Sequence, residues 1–332
     1  MRIPFTWKPT GWFMVGWSAE FPAAGVRPLR YFGEDLVAYR DEANELHVLS
    51  AHCPHLGAHI GHGGRVKGDC VECPFHGWGW GPDGVNRYIP YEDRPNASKR
   101  LQAWAVQEQH GCVFVWHQPH GDPPRWEMPD IFRSFPDFEQ DPSTYYRPYP
   151  EMSTRYAHEP VHPQLPAENA YDSMHFKYVH GASVTPVLLD FEVSGAEWKF
   201  VTGWPDARSE DPAAMALKIH STLFGLGGAV SAWEGTVSYR LVFATTPVDD
   251  ACSDMFYSIW WPRHPGDTSD IAPEHIQERV EKEFLSTLWD DLEIWRYQDY
   301  IEHPALAQID ARPFASLRRW ASQFYEVEPI VN

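Results

Sequence analysis

The feature that most constrains this chain is a stretch of 24 residues from Cys53 to His76. It carries Cys53-x-His55, 17 intervening residues, and Cys73-x-x-His76. Each half sets one thiol and one imidazole on a short turn. Gly57 and Gly77, with Pro54 and Pro74, suit loops that bend closely round an inorganic core. Two similar half-sites fit a dinuclear [2Fe–2S] cluster in which two His replace two Cys on one iron; neutral imidazoles there raise the reduction potential to roughly −150 to +300 mV. The alternative is a tetrahedral Cys₂His₂ zinc site. The Cys-x-His spacing is unusual for a zinc finger, and no second Cys-x-x-Cys completes a zinc ribbon. On the cluster reading, Cys53 and Cys73 hold one iron and His55 and His76 the other. Cys70, Cys112 and Cys252 read as ordinary buried thiols. His52, His59 and His62 read as loop residues.

Such a loop needs a rigid frame. Residues 10 to 120 supply short aromatic and β-branched runs (WFMVGWS, LRYF, LVAYR, LHVL, VFVWH) separated by Gly, Asp, Asn and Pro, the pattern of strands and turns. The irregular stretch from about 50 to 82 interrupts them, and loops that long inside a domain usually carry function. Proline density then rises from Pro119 to Pro163, and HGDPPRWEMPD reads as a linker. A short helical pattern at about 166–180, strand-like segments over about 190–262 and a long helix over about 274–300 follow. These predict an α+β second domain, with boundaries at 8–120 and 121–332.

The 332 residues are 43% hydrophobic and carry a formal net charge of −19, which argues against nucleic-acid binding. Residues 51 to 100 differ, with six cations (Arg65, Lys67, Arg87, Arg94, Lys99, Arg100) against five acids. That is either a fluctuation in a solvated surface or a docking face for an acidic electron donor. No apolar run reaches the roughly 18 residues of a membrane span, and MRIPFTWKPTGW lacks an apolar signal core. A cytoplasmic protein is expected.

A second constellation lies in PAENAYDSMHFKYVHG, residues 166 to 181. Asp172 and His175 are spaced i,i+3 and share a helix face. His175 and His180 are i,i+5, so both can reach one metal only if the helix loosens or ends between them. Gly181 is a natural stop. Two His and a carboxylate form the facial triad of non-haem Fe(II) oxygenases. In the late helix, Val280, Phe284, Leu285, Leu288, Leu292 and Trp295 trace one apolar face. Asp291 falls roughly 60° from Leu288 and Asp290 roughly 160°, so Asp291 is the expected carboxylate. A competing string, His158-Glu159-Pro160-Val161-His162, matches the zincin His-Glu-x-x-His, but Pro160 would break the helix that motif requires.

With both constellations present, CPHLGAHI…CPFHGW resembles the Rieske domain of the Rieske non-haem iron oxygenases. The resemblance runs over nearly the whole chain. VKGDCVECPFHGWGWGPDG, WDDLEIWRYQDYIEHPALAQID and LRRWASQFY are most similar to the branch holding the 3-ketosteroid 9α-hydroxylase oxygenase components and the cholesterol 7-desaturases. The chain departs from that branch at Gly77-Trp78-Gly79 and at Ala311-Arg312. The resemblance implies an all-β Rieske domain, a helix-grip catalytic domain with an antiparallel sheet wrapped by helices, and a homotrimer. It also matches Asn169, Asp172, His175 and His180 to the family's Asn-x-x-Asp-x-x-His-x-x-x-x-His. There the Asp is not a ligand; it bridges an iron His to a cluster His of the neighbouring subunit.

The expected activity is hydroxylation of a C–H bond in a hydrophobic, steroid-like substrate by O₂, with desaturation or oxidative demethylation as alternatives. A Rieske electron carrier without oxygenase activity and a zinc-stabilised binding module are the competing classes. No Gly-x-Gly-x-x-Gly follows a strand and no plant-type ferredoxin spacing occurs, so NAD(P)H electrons must come through a separate reductase or ferredoxin. Tyr178, Phe224, Trp233 and Trp260 are candidate pocket aromatics, each with core packing as the alternative.

Overall fold

The computed structural model describes residues 3–325. The first third is three small antiparallel sheets. One joins Val26–Tyr31, Glu34–Arg40, Leu46–Ser50 and Ala103–Trp104; another joins Arg65–Lys67, Cys70–Glu72, Gly79–Trp80 and Asn86–Tyr88; the third joins Gly11–Trp17, Cys112–His117 and Val106–Gln109. One loop of the first constellation leaves the strand Leu46–Ser50. The other links Cys70–Glu72 to Gly79–Trp80.

The rest is built on one seven-stranded antiparallel sheet. Six strands (Val187–Ser194, Glu197–Pro205, Met215–Phe224, Gly228–Glu234, Arg240–Pro247, Ser253–Trp260) form a meander, and Ser153–Glu159 pairs with the last of them. Side chains alternate across a strand. Odd-numbered residues of the central strands, such as Ser221, Ser231, Leu241, Phe243 and Tyr257, face a cavity roofed by helices. Even-numbered residues, such as Phe224, Val230, Ala232, Val242, Phe256 and Trp260, join a core with Trp12, Phe13, Phe32 and Phe114 of the first third. The sheet is therefore buried on both faces, one of them by the other half of the molecule.

That shared core changes one expectation. The proline-rich segment is a loose linker only over residues 119–125, all exposed; beyond it Met128, Ile131, Phe132 and Phe135 are buried in the common core. The two halves also exchange hydrogen bonds, from Thr10 N–H to Phe324 C=O (2.8 Å), from Phe32 N–H to Pro247 C=O (2.9 Å) and from the Trp17 indole to Ser258 Oγ (2.9 Å). At Gly227 a Cβ would sit 1.9 Å from the Trp12 carbonyl oxygen, so only glycine allows this approach.

The helices are shorter than the sequence suggests. The 166–180 pattern is two helices, Gln164–Tyr171 and His175–Tyr178, separated where Asp172 leaves the helical region (ψ 97°). The 274–300 pattern is Glu274–Val280, a π-helical turn at Glu281–Leu285 and Thr287–Trp295.

The His-Glu-x-x-His string does not form a helix. His158 and Glu159 end a strand, and Glu159 pairs with Arg296 (2.8 Å). His162 is fully buried, accepting from Gln164 N–H at Nδ1 (3.1 Å) and donating from Nε2 to Thr6 C=O (3.0 Å). Burial pushes its pKa down to about 4. The unfolded chain therefore takes up a proton near pH 6.5 that the folded chain refuses until about pH 4. Stability is complete above pH 6.5 and falls toward pH 4, by about 3 kcal/mol from this residue. Melting temperatures of wild type and His162→Gln across pH 4–7 should show a shallower acid slope in the variant.

Candidate metal centres and the active-site cavity

The two loops of the first constellation have the same backbone hydrogen bonds. Cys53 N–H donates to Ala58 C=O (2.9 Å) and Gly57 N–H to Cys53 C=O (2.8 Å); Cys73 N–H donates to Trp78 C=O (2.9 Å) and Gly77 N–H to Cys73 C=O (3.0 Å). Gly57 and Gly77 close the turns at φ 77° and 70°, a region that disfavours side chains. The cysteines end up buried and the histidines half-exposed. The His55 and His76 rings lie 4.7 Å apart, and His55 stacks on Trp78 at 4.5 Å.

These residues fit a cluster. His76 Nδ1 is buried with no hydrogen-bond partner, an orphan a metal would satisfy. Burial, with the Cys73 sulfur adding to it, pushes the Cys53 thiol up to about 11. A buried thiol held that high becomes a thiolate readily only beside a cation such as iron. The other candidates are engaged elsewhere. Cys70 donates to Asp69 (3.2 Å), and both His52 nitrogens are taken by Gly57 C=O and Asp35 (3.1 Å each).

The second constellation converges. His175, His180 and Asp291 each offer a ligand atom, all within 4.8 Å of one another. The helix carrying His175 ends at Tyr178, and Gly181 at φ 66° turns the chain, which brings His180 back beside His175. His180 Nε2 lies 3.3 Å from Asp291 Oδ1. Asp291 is 9% exposed. Asp290 presents a side chain 54% exposed and reaches His180 Nδ1 only at 3.8 Å. Burial lowers the pKa of His175, while at His180 the two carboxylates outweigh burial and raise it.

Within this chain Asp172 meets His175 through the backbone. Its main-chain carbonyl takes a short hydrogen bond from His175 Nδ1. A carbonyl can only accept, so Nδ1 carries the proton and Nε2 keeps its lone pair for a metal. The Asp172 carboxylate accepts from Met174 N–H (2.9 Å) and starts the short helix.

The three side chains line a cavity of about 420 Å³ with Asn169, Phe176, Trp204, Trp233, Phe243 and Phe284. Of the aromatics expected there, only Trp233 lines it. Phe224 and Trp260 sit at even positions of their strands and face the shared core, and Tyr178 is 76% exposed at the end of its helix. Trp204, Phe243, Tyr257 and Phe284 were missed. Strand parity counted from Trp233 would have found Phe243 and Tyr257 once the register was known.

Comparison with known proteins agrees with this architecture. Residues 11–107 match the Rieske [2Fe-2S] domain family, and residues 115–325 match the 3-ketosteroid 9alpha-hydroxylase C-terminal domain family. One 3-ketosteroid-9-alpha-monooxygenase oxygenase component from Rhodococcus rhodochrous is 30% identical over 95% of this chain and 82% of its own length. A cholesterol 7-desaturase from Xenopus laevis is 29% identical, covering 96% of this chain and 72% of its own. Among solved structures, dicamba monooxygenase bound to dicamba superposes with a TM-score of 0.66 at 17% identity, over 94% of this chain and 96% of that one. NdmB of Pseudomonas putida CBB5 gives 0.68 at 18%, over 93% and 89%.

A Rieske domain joined to this catalytic fold defines a Rieske-type oxygenase, an oxidoreductase component served by a separate reductase. Within that class the chain belongs to the family of the 3-ketosteroid 9α-hydroxylase oxygenase components. Among the described residues, no helix is long and apolar enough to cross a membrane.

The geometry separates the two adjacent aspartates. Asp291→Ala should lose the mononuclear iron while the cluster's visible spectrum persists, and Asp290→Ala should retain both. Metal analysis of the two purified variants checks this.

Proposed function

We propose that this chain is a mono-oxygenase component that uses O₂ to hydroxylate a C–H bond of a hydrophobic, steroid-like substrate in the cavity beside His175, His180 and Asp291. The observation that carries this reading is the convergence of those three side chains on the wall of an apolar cavity. Its volume falls within the roughly 300–1,000 Å³ of small-molecule sites. His175, His180 and Asp291 would hold a ferrous ion, which would supply the redox chemistry for O₂. Cys53, His55, Cys73 and His76 would hold a Rieske cluster, which would supply one-electron chemistry to the reductase.

The chain's own residues do the rest. The Asp172 carbonyl fixes the tautomer and plane of His175. Phe176 packs on Trp204 at 5.0 Å and closes one wall against water. His55 and His76 sit at the outer side of their loops, where a neighbouring subunit's Asp172 would meet them in a homotrimer. The exposed cations Arg65, Arg94 and Lys99 suit an acidic reductase or ferredoxin.

Relatives named as desaturases are nearly as similar to this chain as those named as mono-oxygenases. Desaturation is therefore the second reading, with oxidative demethylation a further outcome of the same site.

Removing His175 separates an oxygenase from an electron carrier. His175→Ala should keep the cluster's visible and EPR signals, accept electrons from the reductase and form no product. Product formation by this variant would sink the oxygenase reading. Mass spectrometry of wild-type products from a steroid panel distinguishes oxygen insertion from loss of two hydrogens.

A further inference from the structure

The cavity floor is one face of four neighbouring strands, even-numbered on Glu197–Pro205 and odd-numbered on the next three. In one in-register row it reads Phe200, Ser221, Ser231, Leu241. The flanking positions on the two serine strands are Ile219 and Trp233 on one side, Leu223 and Ala229 on the other. A pair of hydroxyls thus sits amid hydrocarbon.

The serines are 6% and 5% exposed, and their Oγ atoms lie 2.9 Å apart across the strands. Positions like these ordinarily carry branched apolar residues, because a buried hydroxyl is unfavourable unless hydrogen-bonded. Pairing satisfies only part of that requirement. Two hydroxyls bring two hydrogens, and the bond between them uses one. The second hydrogen remains for an acceptor, and the floor bordering the cavity is where one can be supplied.

The metal triad is carried by the opposite wall, on the segment 175–180 and the helix Thr287–Trp295. A substrate in this cavity is therefore held between a polar point on the floor and the triad above.

We propose that Ser221 and Ser231 form a subsite that donates one hydrogen bond to an oxygen substituent of the substrate, a carbonyl or hydroxyl on an otherwise apolar ring system, and so determines which carbon faces the triad. This rests on the cavity being the oxygenase site. It narrows the substrate class from hydrophobic rings in general to rings bearing an oxygen acceptor remote from the oxidised carbon. The serines touch the substrate and not the metal, so they govern affinity and regiochemistry and leave the iron in place.

The test uses the iron-loaded enzyme with three probes: androst-4-ene-3,17-dione and the two monoketones lacking either the 3- or the 17-oxygen. Equilibrium dissociation constants are measured for wild type, Ser221→Ala/Ser231→Ala and Ser231→Thr, with iron content and cluster spectrum as folding controls. Wild type should bind the diketone about two- to tenfold more tightly than one of the monoketones, the range a single hydrogen bond gives. The double alanine variant should lose that preference, bind the affected monoketone unchanged and give a broader product distribution. Ser231→Thr, which keeps a hydroxyl, should preserve the preference. Wild-type turnover combined with an alanine variant that discriminates as wild type does overturns the subsite alone. A wild type that neither binds nor oxidises any of the three overturns the steroid reading and the subsite with it.

Discussion

The arrangement depends on a sheet that is covered on both sides. On its central strands, from Met215 to Trp260, the even-numbered side chains complete a hydrophobic core with the cluster-bearing domain, and the odd-numbered ones line the catalytic cavity. Neither half could keep its present form alone. Without the first third, Phe224, Val242, Phe256 and Trp260 would lie open to water, and each side chain of that size contributes about 1.5–3 kcal/mol on burial. The sheet is thus both the interface between domains and the floor of the site. Rigidity needed to hold the cluster loops is the same rigidity that shapes the cavity.

Backbone economy recurs at both candidate metal centres. The two cluster loops repeat one hydrogen-bonded turn, each closed by a glycine at positive φ, and differ only in whether the histidine falls two or three residues after the cysteine. At the second centre the chain interrupts a helix at Asp172. The carbonyl released by that interruption orients His175. Groups left over at the end of a regular element are what position the ligands.

The Rieske domain was legible because four donors at unusual spacing admit few chemistries. The break between His175 and His180 was legible because an i,i+5 pair cannot face one ion on an unbroken helix. Asp291 was separable from its neighbour because one residue is about 100° of rotation, and a nine-residue helix is long enough for that angle to matter. The cavity aromatics were not legible. Periodicity identifies an inward face only where the other face is polar, and here Phe224 and Trp233 are each apolar residues pointing into an apolar layer. The composition of the strands holds no sign of which layer is which. The same two-sided burial hid the packed part of the proline-rich segment, whose Phe132 and Phe135 read as loop residues until the shared core is seen. The break after Tyr171 was also hidden, since Asp172 is tolerated in a helix by propensity and ends it through a local carbonyl contact.

The π-helical turn at Glu281–Leu285, where Ser286 N–H reaches back five residues to Glu281, gives the roof helix one residue more than its length requires. Deleting that residue would turn the wide turn into an ordinary α turn and leave everything beyond it in phase, with Asp291 still on the cavity. Deleting one residue between Leu288 and Asp291 instead, where the helix is regular, would turn Asp291 by about 100° off the cavity. The surplus residue is therefore slack: a loss of one residue is harmless at the wide turn and breaks the site one turn later.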